Sequence, residues 1–344
     1  MVTNRIAVAG GVSPRFSASD EGTLVVQSGE KRSGEYRALW VDRSGQETPV
    51  DTAWSFRPIV FGFNVGWSLS PDGTSLAIGL AGSQLAPSDI WLKQLPAGPL
   101  TRLTFDSVPS HRPRWTPDGR AITYVSGGAL RQRRADGSGP DSVLLEEPEL
   151  GAGAWSPDRR WLLARVGPFG NTDIVGLRPG IDSTPRALVA SRFNEGGFAV
   201  SPDGRWLAYE SNESGAVEIY LRPFPATDQS KRKISVSGGC SPLWNRNGRE
   251  LFYMTPARMM TVVAVGPGPD PKLGAPRGLF RLSGDFYGGV VDNYTPYDIA
   301  PDGARFLMAK QIDATSGSTA TLIVTENWVA GLARERPPGT DRPR

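Results

Sequence analysis

A short turn signature recurs seven times along the 344 residues, and it restricts the chain more than any other feature. The copies are Ser19-Asp20-Glu21-Gly22, Ser70-Pro71-Asp72-Gly73, Thr116-Pro117-Asp118-Gly119, Ser156-Pro157-Asp158-Arg159, Ser201-Pro202-Asp203-Gly204, Asn245-Arg246-Asn247-Gly248 and Ala300-Pro301-Asp302-Gly303. The third position of each steps through 21, 72, 118, 158, 203, 247 and 302, at intervals of 40 to 55 residues. Proline fixes φ for the second place of a type I turn, aspartate suits the third, and glycine accepts the left-handed conformation that follows. A hydroxyl at the first place bonds back to the turn amides. Each copy therefore reads as a tight hairpin. Arg159 stands where the other copies have glycine, which predicts strain or a different turn there.

Short apolar strands flank the turns. Trp115, Trp155 and Trp244 precede three of them in the same slot, which Leu69, Val200 and Ile299 fill elsewhere and Ala18 fills weakly. Interchange of Trp with aliphatics indicates packing between units, not a stacking platform for a ligand. After the turns come Leu76-Ala77-Ile78, Ile122-Thr123-Tyr124, Leu162-Leu163-Ala164, Leu207-Ala208-Tyr209, Leu251-Phe252-Tyr253 and Phe306-Leu307-Met308. Third strands follow at Leu39-Trp40-Val41, Ile90-Trp91-Leu92, Ile174-Val175-Gly176 and Ile219-Tyr220-Leu221, and fourth strands at 100–103 and 233–236. Four short antiparallel strands per period of about 40–50 residues constitute a propeller blade. The expectation is an all-β, seven-bladed β-propeller, with a six-bladed ring as the alternative. Arg5-Ile6-Ala7-Val8 is expected to close the last blade beside Thr321–Thr325 and so to hide two exposed edges. One domain over 1–333 and a disordered tail over 334–344 complete this reading.

Composition narrows function. Gly and Pro together make 71 residues, yet 10 Trp, 13 Phe and 8 Tyr supply a core, so global disorder is excluded. A net charge of +3 gives no footprint for nucleic acid. No apolar run is long enough to span a membrane, and no leader is evident, so the chain as given is expected in the cytoplasm. The single Cys240 and single His111 leave no disulfide, no zinc set and no Gly-x-Ser-x-Gly elbow for a Ser-His-Asp triad. No cofactor or metal is expected. The turn aspartates read as turn formers, since calcium needs several oxygens at one point.

The loops that join blades are the better candidates for function, because long connections with aromatic and polar residues suit a partner surface. They offer Trp54, Arg57, Phe63 and Asn64 within 51–66; Asp106, His111 and Arg112 at the entry to the third repeat; Phe193, Asn194 and Glu195; and Asp285, Tyr287, Asp292 and Tyr294 within 281–294. Phe61 and Phe63 could instead plug the ring. An enzymatic alternative, a hydrolase or lyase in the central channel, would use Asp298, Glu195 and Asp106 as acid and base.

The repeat grammar resembles that of TolB-like propellers. The run Ser201-Pro202-Asp203-Gly204-Arg205-Trp206-Leu207-Ala208-Tyr209-Glu210-Ser211-Asn212-Glu213-Ser214-Gly215, with Glu218-Ile219-Tyr220-Leu221-Arg222-Pro223-Phe224-Pro225, is similar to the C-terminal propeller region of bacterial serine/threonine protein kinases. So are Leu39-Trp40-Val41-Asp42-Arg43, Gly248-Arg249-Glu250-Leu251-Phe252-Tyr253 and Tyr297-Asp298-Ile299-Ala300-Pro301-Asp302-Gly303. The resemblance implies a monomeric, non-catalytic sensing module that takes a protein, a peptide or a small ligand. It also implies a kinase domain and a membrane segment in a longer product, which would place the propeller outside the cytoplasm. No His-Arg-Asp loop, Asp-Phe-Gly or glycine-rich phosphate loop occurs in the sequence, so kinase activity does not carry over.

Overall fold

The computed structural model describes residues 16–18, 23–28, 35–57, 66–81, 87–287, 295–312 and 321–325. Two compact units divide the chain, one over 34–313 and one made of 1–33 with 314–344. The larger unit holds six four-stranded antiparallel sheets, and the described residues contain no helix.

Blade one comprises Trp67–Leu69, Ser75–Ala81, Ser88–Gln94 and Leu100–Arg102; blade two comprises Ser110–Trp115, Ala121–Ser126, Ala129–Arg134 and Ser142–Glu146. Blade three is Ala152–Trp155, Leu162–Val166, Asp173–Leu177 and Arg186–Val189, and blade four is Glu195–Val200, Trp206–Ser211, Glu218–Pro223 and Arg232–Lys233. Blade five is Cys240–Trp244, Glu250–Met254, Met259–Ala264 and Arg277–Arg281. Blade six takes strands from both ends of the unit: Asp298–Ile299 and Arg305–Gln311, then Tyr36–Asp42 and Glu47–Pro49. The first strands of blades one and two, two and three, four and five, and six and one pack on one another, so the first strands form the hub.

The ring therefore has six blades, not seven, in agreement with the six-bladed alternative. The closing strand also differs from expectation. Tyr36–Asp42 pairs with Arg305–Gln311 over seven consecutive positions, from Tyr36↔Gln311 to Asp42↔Arg305. Thr321–Thr325 instead pairs with Leu24–Ser28, which also pairs with Phe16–Ala18, as the three-stranded sheet of the smaller unit. The signature at 19–22 lies outside the described residues, and the strands on either side of it belong to this smaller sheet. Arg5–Val8 and the 334–344 tail lie outside the described residues.

Period-2 alternation explains why blade six accepts those strands. Leu39 and Val41 pack with Phe306, Met308 and Phe252 in the seam against blade five, while Ala38 joins Leu307, Trp67 and Ile78 in the seam against blade one. One apolar cluster fills each of the other four seams as well. Phe306 is fully buried and meets Phe252, Phe280 and Tyr297 with ring centroids 5.0, 5.6 and 6.1 Å away.

The turns repeat one bonding scheme. Ser70 Oγ donates to Asp72 Oδ1 at 2.6 Å and accepts from Ser75 N at 2.9 Å; Thr116, Ser156 and Ser201 do the same at nearly the same lengths. The turn glycines have φ between 68° and 76°, and Arg159 takes 58° in the same place. The turn is conserved in shape there, and the arginine bears the left-handed backbone.

Two predictions follow from this packing and these turns. A Cβ at Gly204 meets nothing within 4 Å, whereas one at Gly73 would lie 2.8 Å from Pro301 of the next turn around the hub. Gly204→Ala is expected to cost about 1 kcal/mol from backbone strain alone, and Gly73→Ala measurably more, in urea denaturation. Phe306→Ala is expected to cost roughly 3–5 kcal/mol by loss of an enclosed ring.

Candidate binding face

Antiparallel alternation sorts the connections onto two ends of the ring. The signature turns and the links between third and fourth strands share one end. The links between blades share the other with the links between second and third strands.

The hub is crossed by a polar bond at each seam. Ser68 Oγ accepts from Trp115 N at 3.3 Å between blades one and two, and the Arg112 guanidinium donates to Gly151 O between two and three. Thr172 Oγ1 donates to Glu195 O at 2.6 Å between three and four. Glu210 Oε1 accepts from Ser241 N at 2.5 Å between four and five, and Tyr297 Oη donates to Ser241 O at 2.6 Å between five and six. Asp298 Oδ2 accepts from Leu69 N at 2.8 Å where blade six meets blade one, and its Oδ1 accepts from Ile299 N at 2.8 Å. These bonds satisfy backbone groups on inner edges that no strand covers. Two of the residues are held at positive φ, Arg112 at 54° and Ser241 at 61°, beside bulges in the inner strands. Bulges of this kind re-aim side chains.

Electrostatics at the hub follow burial. Desolvation pushes the Tyr297 hydroxyl well above its ordinary value and raises the Asp298 carboxyl, against the pull of its amide donors and of Arg114. Arg165 is lowered by burial and supported by Glu210. The turn carboxylates Asp72, Asp118 and Asp158 are lowered, chiefly by their own Ser or Thr hydroxyl. Among the described residues, no group of three or more His, Cys, Asp or Glu is placed to hold a metal ion.

The residues singled out in the sequence fall into distinct settings. Trp54 stacks on Phe56 at 5.1 Å and packs against the blade-six seam, with Lys93 Nζ 5.4 Å from its ring. Arg57 is exposed near Glu35 at 3.7 Å. Tyr287 meets Tyr36 and Trp67 edge-on or tilted, at 5.6 and 5.8 Å. Asp285 faces Lys310 at 3.6 Å. Asn194 Oδ1 accepts from Thr172 N and Oγ1, at 3.1 and 2.9 Å, and so ties blade four to blade three. Phe193 lies under the Arg192 guanidinium at 5.0 Å. Phe61, Phe63, Asn64, Asp292 and Tyr294 lie outside the described residues. The carboxylates Asp298, Glu195 and Asp106 belong to blade six, blade four and the link into blade two, and their partners are different in each place.

The Trp slot is a packing slot. Trp244 is buried and donates Nε1–H to Ala199 O at 3.2 Å, and Trp155 donates to Gln132 Oε1 at 3.0 Å, each reaching the preceding blade. Cys240 is buried in the seam between blades five and six.

Sequence reasoning missed the residues that most mark the loop end. Phe105 (64% exposed), Val108, Phe169 and Val236 (72% exposed) are large apolar side chains in solvent, and all lie on links at that end. Arg102 covers one side of the Phe105 ring at 4.9 Å. Their links are short, so loop length gave no signal; four exposed apolar residues within links predicted to face one way would have.

These features define a six-bladed β-propeller. Among solved structures, a TolB from Agrobacterium tumefaciens superposes with a TM-score of 0.61 at 18% identity, covering 82% of this chain and 99% of that one. A TolB from Acinetobacter baumannii gives 0.51 at 17% identity over 70% of this chain and 65% of that one. A chain of a nidogen–laminin complex gives 0.50 at 12% identity, over 71% of this chain and 98% of that one. No protein-family model matches the sequence.

His111 generates a pH prediction. Burial, and to a lesser extent Arg112, lowers its pKa to about 4, and its Nδ1 receives no hydrogen bond. The unfolded chain takes up a proton near pH 6.5 that the folded chain refuses until about pH 4. Stability should therefore fall as pH drops through that window, by at most about 1.4 kcal/mol per pH unit from this group. Urea midpoints measured from pH 7 to 4 should show a shallower fall in His111→Gln.

Proposed function

We propose that this chain is a non-catalytic recognition module that binds a protein or peptide at the loop end of the ring. The carrying observation is that Phe105, Val108, Phe169 and Val236, exposed apolar side chains, all lie on links at that end. The opposite end supports the same reading by contrast. It is occupied by the signature turns, whose side chains are committed to one another, and Arg246 of blade five bonds to the Ser70 and Pro71 carbonyls of blade one across it. Apolar and aromatic side chains ringed by polar ones are what a partner's surface buries. The partnership in the nidogen–laminin complex, which holds a similarly folded chain, fits this use of a propeller.

The finer reading is a sensor region of a bacterial serine/threonine kinase. In it the kinase domain and membrane segment belong to a longer product, and the propeller works outside the cytoplasm. The kinase-like run from Ser201 to Pro225 supports it. Reading the gene on both sides of this sequence tests that part directly.

The binding face is tested by capture. Immobilised chain should retain a partner from host envelope extract. The triple variant Phe105→Asp, Phe169→Asp, Val236→Asp should lose it by tenfold or more, with stability changed by only about 0.5 kcal/mol per site. Ile181→Asp, an exposed apolar position at the other end, should leave capture intact. Equal capture by the triple variant, or turnover of the retained molecule, would defeat the reading.

A further inference from the structure

A second concavity lies away from the hub. Between blades three and four the seam opens into a cavity of about 530 Å³ lined by Glu195, Tyr209, Arg186 and Arg222. That size is ordinary for a small-molecule site. Its lining grades from buried to exposed. Glu195 and Tyr209 are each 1% exposed and form the inner end, while Arg186 is exposed and stands at the mouth.

The inner end lacks a donor. Glu195 Oε1 accepts from Ser191 Oγ at 2.7 Å and from Ser211 Oγ at 3.4 Å, but Oε2 is buried and receives no hydrogen bond. Desolvation raises this carboxyl, and the neighbouring Asp173, whose side chain lies within hydrogen-bonding reach, raises it further. Two acidic groups side by side are stable together only with a proton or a cation between them or beside them. A buried acceptor without a donor carries a desolvation penalty that a ligand N–H would remove.

Two guanidiniums also line the cavity, beside the acids Glu213 and Asp228. Arg186 lies over the Trp161 ring at 4.3 Å and forms no ion pair among the described residues. Arg222 is fixed deeper, with Nε donating to the Tyr209 hydroxyl at 2.9 Å and Nη1 to Thr227 O. A guanidinium stacked on an aromatic ring keeps its edge N–H groups available for a carboxylate.

We propose that the cavity between blades three and four binds a small zwitterion, such as a free amino acid, with its ammonium against Glu195 and its acid group at Arg186. The ammonium supplies the donor that Oε2 lacks, and the carboxylate takes a charge-assisted bond at the mouth. This site is separate from the loop-end partner surface, so either can fail without the other.

The test uses the full chain and matched probes: γ-aminobutyrate and leucine, with n-butylammonium and butyrate as one-ended controls, each followed by saturation-transfer NMR and calorimetry. At least one zwitterion should bind, and each control should bind at least tenfold more weakly. Glu195→Gln keeps the shape of the side chain and should weaken zwitterion binding about tenfold or more. Arg186→Ala should weaken it several-fold. Ala190→Trp adds an indole at an exposed residue of the cavity lining, and should abolish binding with unchanged near-ultraviolet circular dichroism. The proposal is overturned if neither zwitterion binds, if a one-ended control binds as tightly, or if binding survives Ala190→Trp.

Discussion

Everything in the ring depends on one strand pairing. Arg305–Gln311, near the end of the larger unit, lies antiparallel to Tyr36–Asp42, near its start, along seven residues. Without it the last blade would have two strands, and blades one and five would each present an open apolar face. An open arc of sheets has exposed edges, and closure removes them. The pairing is worth more than its hydrogen bonds because both faces of the joined sheet are already spoken for. Leu39 and Val41 complete one seam, and Ala38 completes the other. Slipping by one residue would exchange the two faces and misplace both seams at once.

The hub adds specificity to that closure. Each inner strand leaves an edge of backbone groups facing the channel, and each seam meets them with a group from an adjoining blade. Asp298 illustrates the consequence. It looked available for acid–base chemistry because it is a carboxylate at the channel, yet its two oxygens are taken by Leu69 N and Ile299 N. Ser68 and Glu210 are used in a similar way. A channel whose polar groups hold the ring together is a scaffold first.

Several features were legible because their causes are local. The turn signature specifies its own hydrogen bonds within six residues, so Ser70, Thr116, Ser156 and Ser201 behave alike. At Arg159, where strain or a different turn was expected, the turn is kept and the arginine takes the left-handed backbone. Third strands such as Ile90-Trp91-Leu92 and Ile219-Tyr220-Leu221 were readable from apolar alternation. The settings of single loop residues were less so. Asn194 and Glu195 are neighbours in sequence, yet one side chain knits two blades together while the other lines a cavity. Which role each takes depends on Thr172, Ser191 and Asp173, contributed by a different blade.

The amino-acid sequence by itself determined the all-β class, the four-stranded blade and the position of each signature turn within the ring, since these rest on residue type and short spacing. Only the tertiary structure decided that six blades and not seven close the ring, that Tyr36–Asp42 is the strand that closes it, and that exposed apolar groups from separate links share one end. The reason is physical: a turn motif encodes a hairpin, but membership of a ring is settled by which distant strands can bury both of their faces simultaneously, and that competition is decided by contacts some 270 residues apart in the chain.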